Sequence, residues 1–427
     1  MELVMSIILL ALILFQPIEI NEYNLENGLK ILVYEDHFAP VVSAQVHYRV
    51  GSYNEPSGLT GISHMLEHMA FRGSKNYPPR EYSRIIEATG GYDNAYTSIH
   101  VTVYHASLRS DRYEIQLELE ADRMQNLLIL PEEFEPERGV VMEERRLQDN
   151  DPYDNLFEQL DLMSYTYSPY RHAILGFMSD IENYSRDDVY NWYKKHYNPA
   201  NAIIVVSGDV NPDEVFKIVK KYYGKMKGKE VKEDVYIEPP QEGERRFELK
   251  KDVSTPALAM QYQTIPITNN DMYALDVMAM ILSSGMSSRF EKNLVREKGM
   301  ASRIDIYHYN FKYTGSFSIL GIPQTGIEIE TLEKAINYEI ERLKKEPVTD
   351  AELKKAKNQA LAKAVYRLDS VQDIGFEIGM WEIEAGGWEN MNHYPQEIQK
   401  VTIEDIMEIA KKYFDKDKRS VGYLLPR

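Results

Sequence analysis

Apolar and polar residues alternate through residues 21 to 50: Leu29, Ile31 and Val33, then Val41, Val42, Ala44 and Val46. A period of two marks strands with one buried face. Turn residues at Asn27-Gly28 and from His37 to Pro40 cut the run into separate strands. From Gly61 the apolar spacing widens to three and four, and helices are predicted over Gly61–Phe71 and Pro79–Thr89. Alternation returns over Thr97–Ser107, through Val101, Val103 and His105. Helices fit Asp111–Asn126 and Pro131–Leu147, and a short helix over Asp187–Tyr197 leads through Asn198-Pro199 into a strand at Ala202–Val206.

The second half repeats this order. Phe247–Gln263 reads as strands, Met272–Ser283 as a helix and Gly315–Ile322 as a strand. Helices follow over Ile329–Lys344, Thr349–Val365 and Ile403–Phe414. The repeat is visible in the residues themselves. Asp188–Tyr197 (DVYNWYKKHY) parallels Asp405–Phe414 (DIMEIAKKYF) at an offset of 217 (405 − 188), and Lys194/Lys195 fall on Lys411/Lys412 at the same offset. A period near half the chain indicates a duplicated domain, because solenoid repeats are far shorter. Between the halves, Lys225–Glu244 is charged and carries Pro239-Pro240 and Gly243, a linker composition. The fold class expected is α+β: an N-domain at 21–226, a linker at 227–244 and a C-domain at 245–427, each a sheet packed against helices.

Composition narrows the function. The chain has 427 residues, 43% hydrophobic and 27% charged, as expected of a globular protein. Lys and Arg number 49 against 67 Asp and Glu, a net charge of −18. That field repels nucleic acid and attracts basic or unfolded cationic chains. The absence of Cys excludes disulfides, thiolate metal ligands and a thiol nucleophile. Any metal must sit on His, Asp or Glu, and with only 10 His a close pair is informative. Val4–Phe15 is nearly unbroken apolar, the length of a signal-peptide core. Residues 1–20 therefore read as a signal peptide or membrane anchor, with the protein periplasmic or facing the periplasm. No Lys or Arg precedes the run and no small-x-small cleavage site follows it. The competing reading is a buried strand or helix of a cytoplasmic protein.

Gly61–Ala70 contains His64-x-x-Glu67-His68, the inverse of the H-E-x-x-H zinc motif. At about 100° per residue, His68 lies near 40° and Glu67 near 300° from His64, so all three share one third of a helix. Ile62, Leu66 and Met69 occupy the opposite face. Two imidazoles on one face suit Zn²⁺, and Glu67 beside them is placed as a general base for water. A catalytic zinc takes a third protein ligand. The Glu-rich helix Pro136–Leu147 offers Glu143 or Glu144, with Glu137 on the face of Glu144 two turns earlier, and spacing leaves Glu143 and Glu144 equal.

These residues resemble the pitrilysin, insulinase and mitochondrial processing peptidase family of zinc peptidases, the inverzincins, in its short two-domain bacterial type. The resemblance runs from about Asn21 and includes Leu25–Gly28, Val50–Glu55, His64–Gly73, Gly90–Thr97 and Glu137–Glu144. It implies Zn²⁺ held by His64, His68 and Glu144, because the family's third ligand stands 76 positions beyond the second His. It implies Glu67 as catalytic base, and Glu137 joined to it as the carboxylate that orients a ligand His. Asn94 and Ala95 match the edge strand to which an extended substrate adds. The activity implied is endopeptidase cleavage of oligopeptides or unfolded segments, inside a chamber where two domains pair with two more. The alternative is a structural or substrate-binding subunit of such an assembly.

Three departures stand out. His100 replaces the family's usual Asp, read as either a change of local charge or a tolerated surface change. Arg296 matches the Arg of a substrate-binding Arg/Tyr pair, but Ser302 stands where the Tyr is expected, with Tyr307 and Tyr309 nearby. The segment Ala274–Leu282, aligned with the zinc helix, has no His, so one zinc site per chain is expected. The missing Tyr points to a homo- or heterodimer, the latter with a homologous chain that carries the Arg/Tyr pair.

Overall fold

The computed structural model describes residues 17–427; the apolar run Val4–Phe15 lies outside the described residues. Six strands form the first sheet: β1 Asn21–Asn24, β2 Lys30–Glu35, β3 Val41–Tyr48, β4 Tyr92–Thr97, β5 Thr102–Arg109 and β6 Ala202–Gly208, in the order β1-β2-β6-β3-β5-β4. Five form the second: β7 Arg245–Lys251, β8 Ala257–Thr264, β9 Ala301–Asn310, β10 Gly315–Pro323 and β11 Arg419–Pro426, in the order β7-β11-β8-β10-β9. Every neighbouring pair is antiparallel except β2/β6 and β7/β11. With β1 set aside the two sheets have one topology, so the fold is a duplicated α+β unit.

Helices of the first half are α1 Ile62–Met69, α2 Glu81–Ala88, α3 Glu114–Asn126, α4 Pro131–Asn150, α5 Pro152–Ser164, α6 Met178–Asn183, α7 Arg186–His196 and α8 Pro212–Tyr223. Those of the second are α9 Asp271–Ser283, α10 Ile329–Lys345, α11 Asp350–Tyr366, α12 Val371–Glu384, α13 Glu389–Lys400 and α14 Ile403–Tyr413, with a π-helix at Glu291–Glu297. The matched segments seen in the sequence are α7 and α14. Each starts with a reciprocal capping box, Ser185 with Asp188 and Thr402 with Asp405, which satisfies orphan N–H groups at the helix start. Among the described residues no helix is long and apolar enough to cross a membrane.

The halves exchange helices. α5 lies on β8 and β11 of the second sheet, where Leu156 and Leu160 pack with Ala257, Ala259 and Leu424. α12 lies on β3 and β6 of the first sheet. Glycine makes that approach possible, because a Cβ at Gly379 would sit 2.2 Å from the His47 ring. The sheet face beneath is polar yet buried: Ser43, Gln45, His47 and Ser207. The helix start satisfies two of these side chains, with Gln45 Nε2 donating to the Gln372 carbonyl at 2.8 Å and Ser207 Oγ to the Val371 carbonyl at 2.5 Å. Ile18 also joins the second half's core and exchanges two 2.9 Å hydrogen bonds with Asn392.

The periodicity did not mark β4, β9, β11, α5, α6, α8, α12 or α13, and the predicted strand Thr97–Ser107 is the end of β4, a turn, and most of β5. For two of them the cause is visible. β4 (YDNAYT) is an edge strand that buries little, and α12 is buried by a polar sheet face, so neither shows a clean apolar stripe.

Candidate active site

α1 starts at Gly61, whose φ of 84° is left-handed and whose absent Cβ would fall 2.2 Å from the Leu175 carbonyl. Its first N–H groups are capped from outside: Gly61 N and Ser63 N donate to the Glu55 carboxylate at 2.7 and 2.8 Å. The back of the helix, Ile62, Met65, Leu66 and Met69, is fully buried in the first half's core. That leaves His64, Glu67 and His68 on the front, toward α4 and β4.

The structure brings His64, His68 and Glu144 together. Glu144 Oε2 lies 3.6 Å from His64 Nε2 and 3.4 Å from His68 Nε2. Potential ligand atoms of the three residues all fall within 4.8 Å of one another. These separations are too long for charge-assisted hydrogen bonds, which run at about 2.7–2.9 Å. They match the edges of a tetrahedron around zinc, ~3.4 Å for bonds of about 2.0–2.1 Å, so the donor set fits that metal. Glu143 points elsewhere: it is 62% exposed and pairs with Arg146 at 3.2 Å.

Two carboxylates support this cluster. Glu137 Oε1 accepts from His68 Nδ1 at 2.8 Å, which leaves the Nε2 lone pair turned to Glu144. Arg72 lies 2.5 Å from the other Glu137 oxygen. Burial alone would raise the Glu137 carboxyl, but His68 and Arg72 hold it below its ordinary value. Burial would lower His68, and the Glu137 bond with the Glu144 and Glu67 charges reverses that into a net rise. His64 is pushed down to about 3 by burial and by His68, so its imidazole is neutral, the form that binds metal. Glu67 accepts a 2.6 Å hydrogen bond from Thr97 Oγ1. Burial raises the Glu67 carboxyl and the Thr97 hydroxyl moderates the rise.

Thr97 and Arg72 were not singled out in the sequence, although both close motifs quoted there. Asn94 and Ala95 lie on β4, which pairs only with β5 among the described residues and so offers a free edge for an extended chain. A cleft of about 880 Å³ opens beside Thr97, at Ser98 and Ile99, and runs between the halves past Phe157, Tyr307 and Tyr309. Arg296 is exposed on the π-helix and makes no ion pair among the described residues. Ser302 Oγ donates to the Ile322 carbonyl at 3.2 Å. His100 is not a surface change. It is 3% exposed, 2.6 Å from the Tyr170 hydroxyl, ringed by Tyr53 and Tyr313, and pushed down to about 3 by burial and by Lys312.

Comparison with known proteins is consistent across the chain. Residues 30–176 match the profile "Insulinase (Peptidase family M16)", and residues 183–360 match "Peptidase M16 inactive domain". The zinc protease PqqE of Helicobacter pylori is 32% identical over 409 residues, covering 94% of this chain and 92% of that protein. A probable mitochondrial-processing peptidase subunit beta of Arabidopsis thaliana is 26% identical, covering 92% of this chain and 76% of its own length. A crystal structure of a protease from Helicobacter pylori superposes with a TM-score of 0.91 at 32% identity, over 96% of this chain and 100% of that one.

Proposed function

The chain belongs to the insulinase family, peptidase family M16, and from that premise we propose that it is a zinc-dependent endopeptidase acting on oligopeptides or unfolded protein segments. The observation that carries this reading is the spacing of His64 Nε2, His68 Nε2 and Glu144 Oε2, which suits tetrahedral zinc with a position left over for chemistry. Zinc held by His64, His68 and Glu144 would supply Lewis acidity toward a scissile carbonyl and toward water. Glu67 takes the proton of the attacking water and delivers it to the leaving amine. Thr97 fixes one Glu67 oxygen and leaves the other for that proton. Glu137 holds His68 in the ligating tautomer.

Substrate binds as an added strand along Asn94 and Ala95, so the main chain is gripped regardless of sequence. The net charge of −18 favours cationic unfolded chains. Arg296, with Tyr307 or Tyr309 standing in for the Tyr absent at Ser302, contributes a second grip from the C-domain at 245–427. The working form is a dimer, homomeric or with a homologous partner that encloses the zinc face. The apolar run Val4–Phe15 directs the protein to the periplasm, as an anchor or cleaved ahead of Ile18, which packs in the core.

Digestion of an unstructured fluorogenic peptide by the zinc-loaded chain tests the reading. Cleavage should cease on chelation and return with zinc. Glu67→Gln should retain zinc yet lose at least ~10²-fold in kcat, the usual worth of a general base. Near wild-type turnover by that variant, or loss of its metal, would overturn the assignment of Glu67.

A further inference from the structure

The second half carries a pocket where the first half carries its His–Glu cluster. Strand register establishes the correspondence. Ala202 and Arg419 open the equivalent strands β6 and β11. In the first sheet Ala202 pairs with Tyr48, Tyr48 with Thr102 and Thr102 with Thr97. In the second, Arg419 pairs with Tyr262, Tyr262 with Phe317 and Phe317 with His308. His308 therefore holds the place of Thr97. Thr97 bonds to Glu67 on α1; His308 bonds through Nδ1, at 2.7 Å, to Asp276 on α9. α4 packs on α1, and its fourteenth residue is Glu144; α11 packs on α9, and its fourteenth residue is Lys363.

The chemistry at this second position is inverted. Lys363 stands where the first half has a carboxylate, with Arg367 one turn further on at the mouth of the pocket. The Asp276 carboxylate is already engaged, accepting from His308 and, at 2.7 Å, from the Tyr394 hydroxyl. Glu377 accepts from Trp381 Nε1 at 3.2 Å, and burial pushes its carboxyl up toward the neutral form. One polar atom is left over. His308 Nε2, on a side chain only 3% exposed, is buried with no partner among the described residues, and the residue lines a cavity of about 90 Å³. Apolar walls come from Met280, Ile306, Leu368 and Met391. A pocket with two cations at its mouth, one unsatisfied imidazole nitrogen within and apolar sides rejects a metal ion and suits an amphipathic anion.

We propose that this pocket binds a small carboxylate bearing a short apolar chain. The carboxylate sits between Lys363, Arg367 and His308 Nε2, and the chain lies against Met280 and Ile306. His308 donates through Nε2 to the ligand, while its Nδ1 faces the Asp276 carboxylate. The same chemistry is offered by a free short-chain acid and by the C-terminal carboxylate of a cleaved peptide.

Isothermal titration of the zinc-loaded full chain tests this, with 4-methylpentanoate for the free acid and N-acetylleucine for the peptide terminus. Saturable binding of either at millimolar concentration is expected, with 4-methylpentanol binding far more weakly; the tighter carboxylate identifies the source. Lys363→Met/Arg367→Met should weaken binding at least ~10-fold, as the loss of charged hydrogen bonds implies, while peptide hydrolysis stays unchanged. His308→Leu should weaken it independently. No saturable binding of either carboxylate overturns the proposal, as does equal binding of the alcohol. A carboxylate held only at His64, His68 and Glu144 is recognised by undiminished binding in the Lys363/Arg367 double variant, and that outcome overturns it too.

Discussion

Glu144 and Glu143 are neighbours in sequence and opposites in environment. One lies within 3.4–3.6 Å of two imidazole nitrogens, and the other reaches into solvent toward Arg146. At limiting metal, Glu144→Gln should lose most of its zinc while Glu143→Gln keeps a wild-type content; equal zinc in the two would contradict the ligand assignment. Glu137→Gln should fall between them, weakening zinc ~10–100-fold, because it removes the acceptor that orients His68 rather than a ligand. Much of this cluster is legible in the chain, since a helix puts residues three and four apart on one side whatever surrounds it. Helix geometry alone does not choose between Glu143 and Glu144, because both angles are compatible with a partner until the position of α1 is known; the family's 76-residue spacing is what pointed to Glu144. Thr97 is invisible for the same reason: its hydroxyl matters only because β4 runs past Glu67.

Whole elements carry the contact between halves, and α12 carries it closely enough to be tested. Gly379→Ala should destabilise the protein by about 1–3 kcal/mol, as overpacking does, because the new methyl meets the His47 ring. Gly139→Ala in α4, where a Cβ meets nothing within 4 Å, should be neutral or stabilising by about 1 kcal/mol. Chemical denaturation of the two variants compares them directly. A second test concerns Glu333 on α10, which ties helix to sheet through Arg246, Arg419 and Tyr423. Burial alone would raise its carboxyl, but Arg246, Tyr423 and Arg419 hold it down at about 2. A depressed carboxyl stabilises the fold above its unfolded pKa, and that contribution fades as pH falls from about 4.5 toward about 2. Glu333→Gln should therefore cost about 3–5 kcal/mol near neutral pH, the usual result of breaking a buried pair, with the gap to wild type closing in acid. A gap independent of pH would show that the ion pairs are not its source.

At the scale of the molecule, Glu144 is 40% exposed in a single chain, and the outer edge of β4 is unpaired among the described residues. A peptide bound there stays in contact with bulk water, which weakens every electrostatic contribution to the reaction. We expect the active species to be a dimer. Light scattering combined with activity assays should find hydrolysis in a species of twice the 49.6 kDa chain mass, alone or with a homologous companion. Full activity from a strict monomer would sink that expectation. Full activity from a homodimer that is lost on Tyr307→Phe or Tyr309→Phe would favour self-association over a companion chain.

The sequence by itself determined the α+β class, the internal duplication and the family, because each rests on local pattern: strand and helix periods, a 217-residue repeat, and motifs whose residues lie a few positions apart. The face shared by His64, Glu67 and His68 belongs with these, being a property of one helix. Tertiary structure alone decided how the halves join. α5 and α12 each leave the sheet of their own half for the other's, and a helix that packs against polar residues from a distant strand leaves no apolar stripe to read. It alone also decided that His100 is buried and neutral, and that His308, Asp276 and Lys363 meet in a pocket. Those residues are far apart in the chain, and only the pairing of β9 with β10 and of α9 with α11 gives them a common environment.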